Sequence, residues 1–105
     1  MKVGYAFYEG CLDEYEEREL PTEPIKFIEK NKTDYYSSED FVNSCAETVA
    51  ERDYEINRDD YDDGYGGYYK RIIVIFFEEK AYPVLVHTET IINYISNFGF
   101  TKEDI

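Results

Sequence analysis

The sequence contains no tryptophan, one histidine, one methionine and two cysteines, Cys11 and Cys45. Two cysteines are too few for a disulfide framework, so we expect reduced thiols in a cytoplasm, with Cys45 in the core. One histidine and two separated cysteines provide no zinc-ligand spacing. No apolar run approaches the roughly 18 residues of a membrane span, and the N-terminus lacks the apolar segment of a signal peptide.

Basic residues are also scarce. The 105 residues include 24 Asp and Glu but only 11 Lys and Arg, which gives a net charge of −13. Solubility alone requires a magnitude of roughly 2–8 in a small domain. All of the excess lies in residues 9–63, which hold 19 acids and 6 bases, whereas the remaining residues hold 5 of each. Such asymmetry predicts a charged functional face and argues against nucleic acid or anionic membranes as direct partners.

Apolar and aromatic residues are plentiful. Hydrophobic residues make up 43% of the chain and aromatic residues 18%, and 12 of the 19 aromatics are tyrosine. This content is too high for a disordered chain, and the length suits one folded domain over residues 1–105.

Strands are predicted from residue alternation and from one apolar run. Period-two alternation predicts a strand over 2–8, and a weaker pattern predicts another over 25–30. The run "YYKRIIVIFF", 68–77, predicts a buried central strand, which "EEKAY" connects to a second hairpin strand at 83–87.

Helices are predicted from apolar positions three and four residues apart. Residues 39–54 form the clearest helix, with Ser38 as N-cap, and residues 89–98 a second one after Thr88. Residues 11–20 predict either a short exposed helix or an acidic loop. The fold class is therefore α+β: a three- to four-stranded, mainly antiparallel sheet with two or three helices on one face.

The stretch "RDDYDDGYGGYYKR", residues 58–71, fits no enzyme or metal motif. Aligned as an EF-hand with Gly64 at the sixth position, it places Tyr61 at the third position and Lys70 at the twelfth, where oxygen ligands are needed. Weak divalent-cation binding by residues 59–63 and a disordered tract both remain open. The Lys-Ser/Thr of a phosphate loop is absent, and His87 has no identified nucleophile beside it, so we expect neither an enzyme nor a cofactor.

The remaining interpretation is a recognition surface for a basic protein. Carboxylates interleaved with tyrosines offer bidentate acceptors for arginine and flat rings on which a guanidinium stacks. The surface would combine this stretch, a row on the 39–54 helix and the acids of 13–17. We name these residues the acidic face: Asp13, Glu14, Glu16, Glu17, Asp40, Glu47, Glu51, Asp59, Asp60, Tyr61, Asp62, Asp63 and Tyr65.

This composition resembles the class of small acidic nucleic-acid mimics, such as phage anti-restriction and anti-CRISPR proteins. The class shares composition rather than sequence or fold. The resemblance implies a non-enzymatic viral inhibitor in the host cytoplasm that blocks the groove of a basic nucleic-acid-binding protein or ribonucleoprotein complex. The alternative is an immunity or antitoxin protein that plugs a basic nuclease toxin. A small catalytic domain dependent on His87 and a homodimer, its acidic face away from the symmetry axis, are further alternatives.

Overall fold

Five strands and one long helix form the framework of the protein in a computed structural model that describes residues 1–12, 15, 19–57, 69–90 and 93–105. In chain order the elements are β1 (Lys2–Phe7), β2 (Lys26–Glu29), α1 (Ser38–Ile56), β3 (Lys70–Phe77), β4 (Lys80–Thr90) and β5 (Asn93–Phe98). Short 3-10 turns lie at Lys32–Asp34 and Lys102–Asp104. The α+β class with an antiparallel sheet is confirmed, but the predicted numbers of strands and helices are wrong for the described residues.

The strands are ordered β2-β1-β3-β4-β5, and every neighbouring pair is antiparallel. Hairpins join β3 to β4 and β4 to β5. Because β2 and β3 are both antiparallel to β1 and flank it, they run in the same direction. The long connection between them contains α1, which packs on β3, β4 and β5.

The main core lies between α1 and one face of the sheet. Alternate residues of β3, including Ile73, Ile75 and Phe77, face the apolar stripe of α1, where Phe41, Cys45 and Val49 are fully or almost fully buried. Burial of each large side chain contributes about 1.5–3 kcal/mol. A smaller cluster on the opposite face contains Tyr8, Ile72 and Leu85, against which five further side chains pack: Leu12, Tyr15, Leu20, Phe100 and Ile105.

The helix begins one residue earlier than predicted, with a different cap. The side chain of Ser37, not Ser38, accepts a hydrogen bond from the backbone N–H of Asp40 at 3.1 Å. Glu39 and Asp40 lie in the first turn, where carboxylates stabilise the positive end of the helix dipole. Both neighbouring serines satisfy the N-cap preference, so the sequence did not distinguish them.

The predicted helix over 89–98 is wrong. Residues 93–98 form β5, and β4 continues to Thr90, with a register shift between Thr88 and Thr90. Tyr94 and Phe98 pack on the main core, and Ser96 bonds to α1 from the same side of the strand. The apolar residues of this segment satisfy helical spacing and strand alternation alike, and pairing with β4 decides between them.

The turn between β3 and β4 is shorter than the predicted "EEKAY" connection. Only Glu78 and Glu79 separate the strands, and both have positive φ, 51° and 64°. Two-residue hairpins favour such angles because their twist matches that of the strands. Glutamate lacks the tolerance of glycine or asparagine for this region, so the sequence carried no signal for so tight a turn.

Within the described residues, no helix is long and apolar enough to cross a lipid bilayer. The longest, α1, has 19 residues and carries six acids and one arginine.

Replacing Ile73 with Asp should unfold the protein, because Ile73 is 0% exposed in the main core. An unpaired buried charge costs several kcal/mol, comparable with the roughly 5–15 kcal/mol stability of a domain. The matched control is Ile25→Asp, since Ile25 is 62% exposed. Circular dichroism melting should show no cooperative transition for the first variant and a near-wild-type one for the second. Equal melting temperatures would contradict the assignment of the core. Ile92, for which the sequence predicts the same effect, lies outside the described residues.

Candidate functional site

Three of the thirteen residues of the acidic face lie within the described part of the chain: Asp40, Glu47 and Glu51 on α1. The other ten lie outside the described residues: Asp13, Glu14, Glu16, Glu17, Asp59, Asp60, Tyr61, Asp62, Asp63 and Tyr65. Their roles, like those of the three on the helix, stay predictions.

The three helical acids differ in their surroundings. Asp40 and Glu51 are exposed, about 16 Å apart along the helix axis at 1.5 Å per residue. Glu47 lies between them and is half-buried, because its carboxylate accepts a hydrogen bond from the Ser96 hydroxyl of β5 at 3.1 Å. Glu47 therefore contributes to helix–sheet packing as well as to the charge of this row.

A buried carboxylate connects the two residues that flank segment 58–68. Asp53, only 8% exposed, accepts hydrogen bonds from the Tyr69 hydroxyl at 2.8 Å and from the Asn57 side-chain amide at 2.8 Å. The Arg71 guanidinium donates to the same carboxylate at 3.1 Å. We name Asp53, Asn57, Tyr69 and Arg71 the Asp53 junction. In the Asp53 junction, one side chain therefore holds the C-cap of α1 to the start of β3.

Packing fixes the tyrosine of this junction. Tyr69 is fully buried, with the rings of Tyr54 from α1 and Tyr94 from β5 at centroid distances of 6.5 and 6.1 Å. Its backbone exchanges hydrogen bonds with Thr88: the Thr88 amide donates to the Tyr69 carbonyl, and the Tyr69 amide donates to the Thr88 hydroxyl. The Tyr69 hydroxyl therefore meets Asp53 in a defined position.

The guanidinium of Arg71 contacts both an aromatic ring and carboxylates of this protein. Its guanidinium carbon lies 4.1 Å from the centroid of the Phe7 ring, and its nitrogens contact Asp53 at 3.1 Å and Glu9 at 3.5 Å. An aromatic face and two carboxylates thus surround one cation. The Glu9 side chain remains 78% exposed, so most of its surface is open to solvent.

Negative charge accumulates at the end of the molecule where α1 finishes. The last turn of α1 contains no basic residue, and Glu55 is exposed there. Glu51, one turn earlier, is also exposed and lies next to the exposed Arg52. The carboxyl end of a helix already carries partial negative charge, so cations would be favourable and acids are not. The nearby Arg71 is already occupied by Asp53 and Glu9. We name Glu9, Glu51 and Glu55 the acidic end. Segment 58–68, which follows α1 in the chain, lies outside the described residues.

A groove adds a further acid to the acidic end. It is formed by residues 7–10 at the end of β1 and residues 19–22, with a volume of about 400 Å³. Glu9 and Glu19 both line it, beside Phe7, Leu20 and Pro21. The thirteen residues of the acidic face include neither glutamate, although Glu19 closely follows Glu16 and Glu17 in the sequence. Only the fold brings residues 9 and 19 to one groove.

Described residues near the predicted acids of 13–17 pack on the sheet face opposite α1. Leu12, Tyr15 and Leu20, which flank or separate them in sequence, pack on the cluster beneath the opposite sheet face. The Tyr15 ring contacts the rings of Tyr8 and Phe100 at 5.7 and 4.9 Å. Leu12, Tyr15 and Leu20 therefore pack on the sheet face remote from α1, whereas the acids of 13–17 lie outside the described residues.

The predicted core position of Cys45 is confirmed. Cys45 is fully buried, and this burial raises the pKa of its thiol to about 11, an effect that the charge of Lys30 partly offsets. The thiol therefore stays protonated at neutral pH, as expected for an inert core residue. Cys11 is exposed, and both are free thiols. Among the described residues, no group of three or more His, Cys, Asp or Glu side chains is placed to hold a metal ion.

The sequence contains a pattern from which the Asp53 junction could have been predicted. Asp53 lies four residues after Val49 and eight after Cys45, on the apolar stripe of α1, where an isolated charge requires a partner. Arg71 alternates with Ile73 and Ile75 and so faces the same side of β3. An acid on the inner face of a helix and an arginine on the inner face of the next strand predict an ion pair.

Comparison with known proteins provides no identification: no family model, curated protein or solved structure matches the chain.

Replacing Tyr69 with Phe should destabilise the protein by about 1.5–3 kcal/mol, the usual range for a hydrogen bond to a charged group. The ring would stay in its buried position, and the hydrogen bond of its hydroxyl to Asp53 would be lost. Tyr36→Phe is the matched control, because Tyr36 is fully exposed. Urea denaturation should show a lower midpoint for the Tyr69 variant alone. An unchanged midpoint would mean that the Asp53 junction does not hold the helix to β3.

Proposed function

We propose that this protein is a non-enzymatic acidic inhibitor that mimics nucleic acid and occupies the basic groove of a host defence protein, in the manner of phage anti-CRISPR or anti-restriction proteins. The observation that carries the proposal is the acidic end. There, exposed carboxylates gather at the negative pole of a helix whose last turn contains no basic residue. Four further aspartates, Asp59, Asp60, Asp62 and Asp63, follow directly in the sequence.

This arrangement is unfavourable for the isolated protein. Like charges repel, and the helix dipole adds to the repulsion at its carboxyl end. A cationic partner would remove this penalty on binding. The chain has eleven lysines and arginines, but none lies in the last turn of α1. Selection for a basic partner explains the placement of the acids better than solubility does, since solubility depends little on where charges lie.

Arginine is the partner residue that suits this end of the molecule best. The chain's own Arg71 lies on the Phe7 ring between two carboxylates. The predicted surface of segment 58–68 repeats these ingredients, with four aspartates interleaved with Tyr61 and Tyr65. Grooves that bind nucleic acid present arginines to phosphates and bases, and carboxylates accept the same guanidinium bidentately.

Charge spacing indicates that α1 alone is not sufficient as a mimic. Its 19 residues span about 28 Å at 1.5 Å per residue. Apart from the buried Asp53 it offers five carboxylates, about one per 6 Å, whereas duplex DNA carries one charge per about 1.7 Å. Segment 58–63 would supply the missing density. The aspartates of this segment should therefore dominate binding, with α1 extending the contact.

The proposal is tested by changing Asp59, Asp60, Asp62 and Asp63 together to Asn. Capture from host lysate at about 0.1 M salt, with bound proteins identified by mass spectrometry, should recover a basic nucleic-acid-binding protein with the wild type and much less of it with the variant. The wild-type capture should also weaken at about 0.5 M salt, because exposed charge pairs are screened.

A charge-matched control separates the role of the segment from that of net charge. Glu23, Glu78, Glu79 and Glu103 are exposed acids outside the acidic face, and their joint change to Gln removes the same four charges. This variant should bind as the wild type does. Equal loss in both variants would contradict a specific surface, and recovery of a nuclease toxin instead would favour the immunity-protein alternative.

A further inference from the structure

The strand β2 forms one edge of the sheet, and its hydrogen-bonding pattern can be read from its pairing with β1. Met1 and Lys30 exchange two backbone hydrogen bonds in the same register that places Val3 opposite Ile28 and Gly4 opposite Phe27. Hydrogen-bonded and non-hydrogen-bonded pairs alternate in an antiparallel ladder. Ile28 therefore bonds to β1, while the backbone N–H and C=O groups of Phe27 and Glu29 point outward from the sheet.

An exposed aromatic ring lies at the centre of this edge. Phe27 is 59% exposed, although it belongs to a strand of the sheet. Its ring and that of Pro24 cover the backbone of Gly4, where a Cβ would lie only 2.6 Å from Pro24 and 3.3 Å from Phe27. Phe76, half-buried, follows on the far side of Gly4. An apolar row thus runs from β3 to the sheet edge and ends in solvent.

Charge distinguishes this edge from the rest of the molecule. The acidic helix packs mainly on β3, β4 and β5, and its Ser44 accepts a hydrogen bond from Lys30 just after β2. Near β2 the acids Glu23 and Glu29 are matched by Lys2, Lys26 and Lys30. A second copy of this chain could therefore approach β2 without bringing the two acidic helices together, although each copy carries a net charge of −13.

We propose that β2 pairs with β2 of a second copy in a two-fold antiparallel ladder centred on Phe27, so that the two Phe27 residues lie opposite each other. The edge groups of Phe27 would exchange two hydrogen bonds, and the two exposed rings would cover one another. The proposal is independent of the inhibitory function, since the acidic end takes no part in it.

Like-charge contacts exclude the neighbouring registers. Only the odd-numbered residues of β2 present outward backbone groups, so odd-numbered residues of the two copies must pair with one another. The sum of the two paired residue numbers is therefore even, and neighbouring registers differ by two in this sum. Shifting one step to one side places Lys26 opposite Lys26, and one step to the other side places Lys26 opposite Lys30. A further step places Glu29 opposite Glu29. With Phe27 opposite Phe27, Lys26 faces Ile28, and directly opposite pairs carry no like charges.

Lysine often protects edge strands from such pairing, so the position of each lysine matters. The Lys30 ammonium is directed into its own chain, donating to the Ser44 hydroxyl at 3.1 Å and to the Tyr35 hydroxyl at 3.4 Å. Lys26 lies on the opposite sheet face from Phe27, because the two are adjacent in the strand. Neither charge lies at the centre of the proposed ladder.

Analytical ultracentrifugation of the full chain over a range of concentrations tests the pairing. The wild type should approach twice the mass of one chain as concentration rises, and more readily at about 0.5 M salt, which screens the repulsion between copies. Phe27→Glu should stay at the mass of one chain, because it places two carboxylates opposite each other. Ile56→Glu is the matched control, since Ile56 is 78% exposed at the end of α1, and it should dimerise as the wild type does.

Cysteine cross-linking tests the register without relying on the glutamate variant. In a Cys11→Ser background, Phe27→Cys should form a covalent dimer when oxidised glutathione is the oxidant, because opposite residues lie within disulfide reach. Glu29→Cys should not form a covalent dimer. In this register, position 29 of one copy and position 29 of the other are offset by four residues along the strand, about 13 Å. Cys45 stays buried in both. A wild type of single-chain mass at every concentration and salt, a dimer that persists in Phe27→Glu, or equal cross-linking at 27 and 29 would each overturn the proposal.

Discussion

The carboxylate of Asp53 is the constraint on which the packing of the carboxyl end of α1 depends. It is the one acid of α1 that faces the core, and it accepts hydrogen bonds from Asn57, Tyr69 and Arg71. A charge in this position would be costly if unpaired, and removing a partner from a buried pair typically costs about 3–5 kcal/mol. The pairing therefore fixes the end of α1 against the start of β3. It also holds Asn57 and Tyr69, the residues on either side of segment 58–68, at the same carboxylate.

The Asp53 junction has a second consequence, because it includes the cation Arg71. Arg71 lies on Phe7 and between Asp53 and Glu9, so its charge serves the fold. The last turn of α1, which contains the exposed Glu55, has no basic residue, and the nearest base in the helix is Arg52. The interior of this region is thus neutralised, whereas its surface retains exposed carboxylates. The proposed basic partner would relieve the repulsion between them.

The fold was predictable from the sequence only where a local pattern fitted a single kind of secondary structure. The apolar run of β3 and the long apolar stripe of α1 were found, because each fits only one element. Residues 93–98 fitted both helix and strand, and pairing with β4, a non-local contact, made them a strand. The exposed helical acids were predicted from their spacing. The groove shared by Glu9 and Glu19 was missed because only the fold brings the two together, and Asp53 because its surrounding acids concealed a charge on the apolar face.

The most direct test of nucleic-acid mimicry is competition for the partner's groove. The basic protein captured with this chain is bound to a fluorescent duplex at about 0.1 M salt, and the chain is added while the anisotropy of the duplex is followed. Mimicry predicts that the duplex is fully displaced, and that the displacing affinity falls as salt rises, since carboxylates would replace phosphates at the same cations. Formation of a stable complex that contains the partner, the duplex and this protein together would contradict the account.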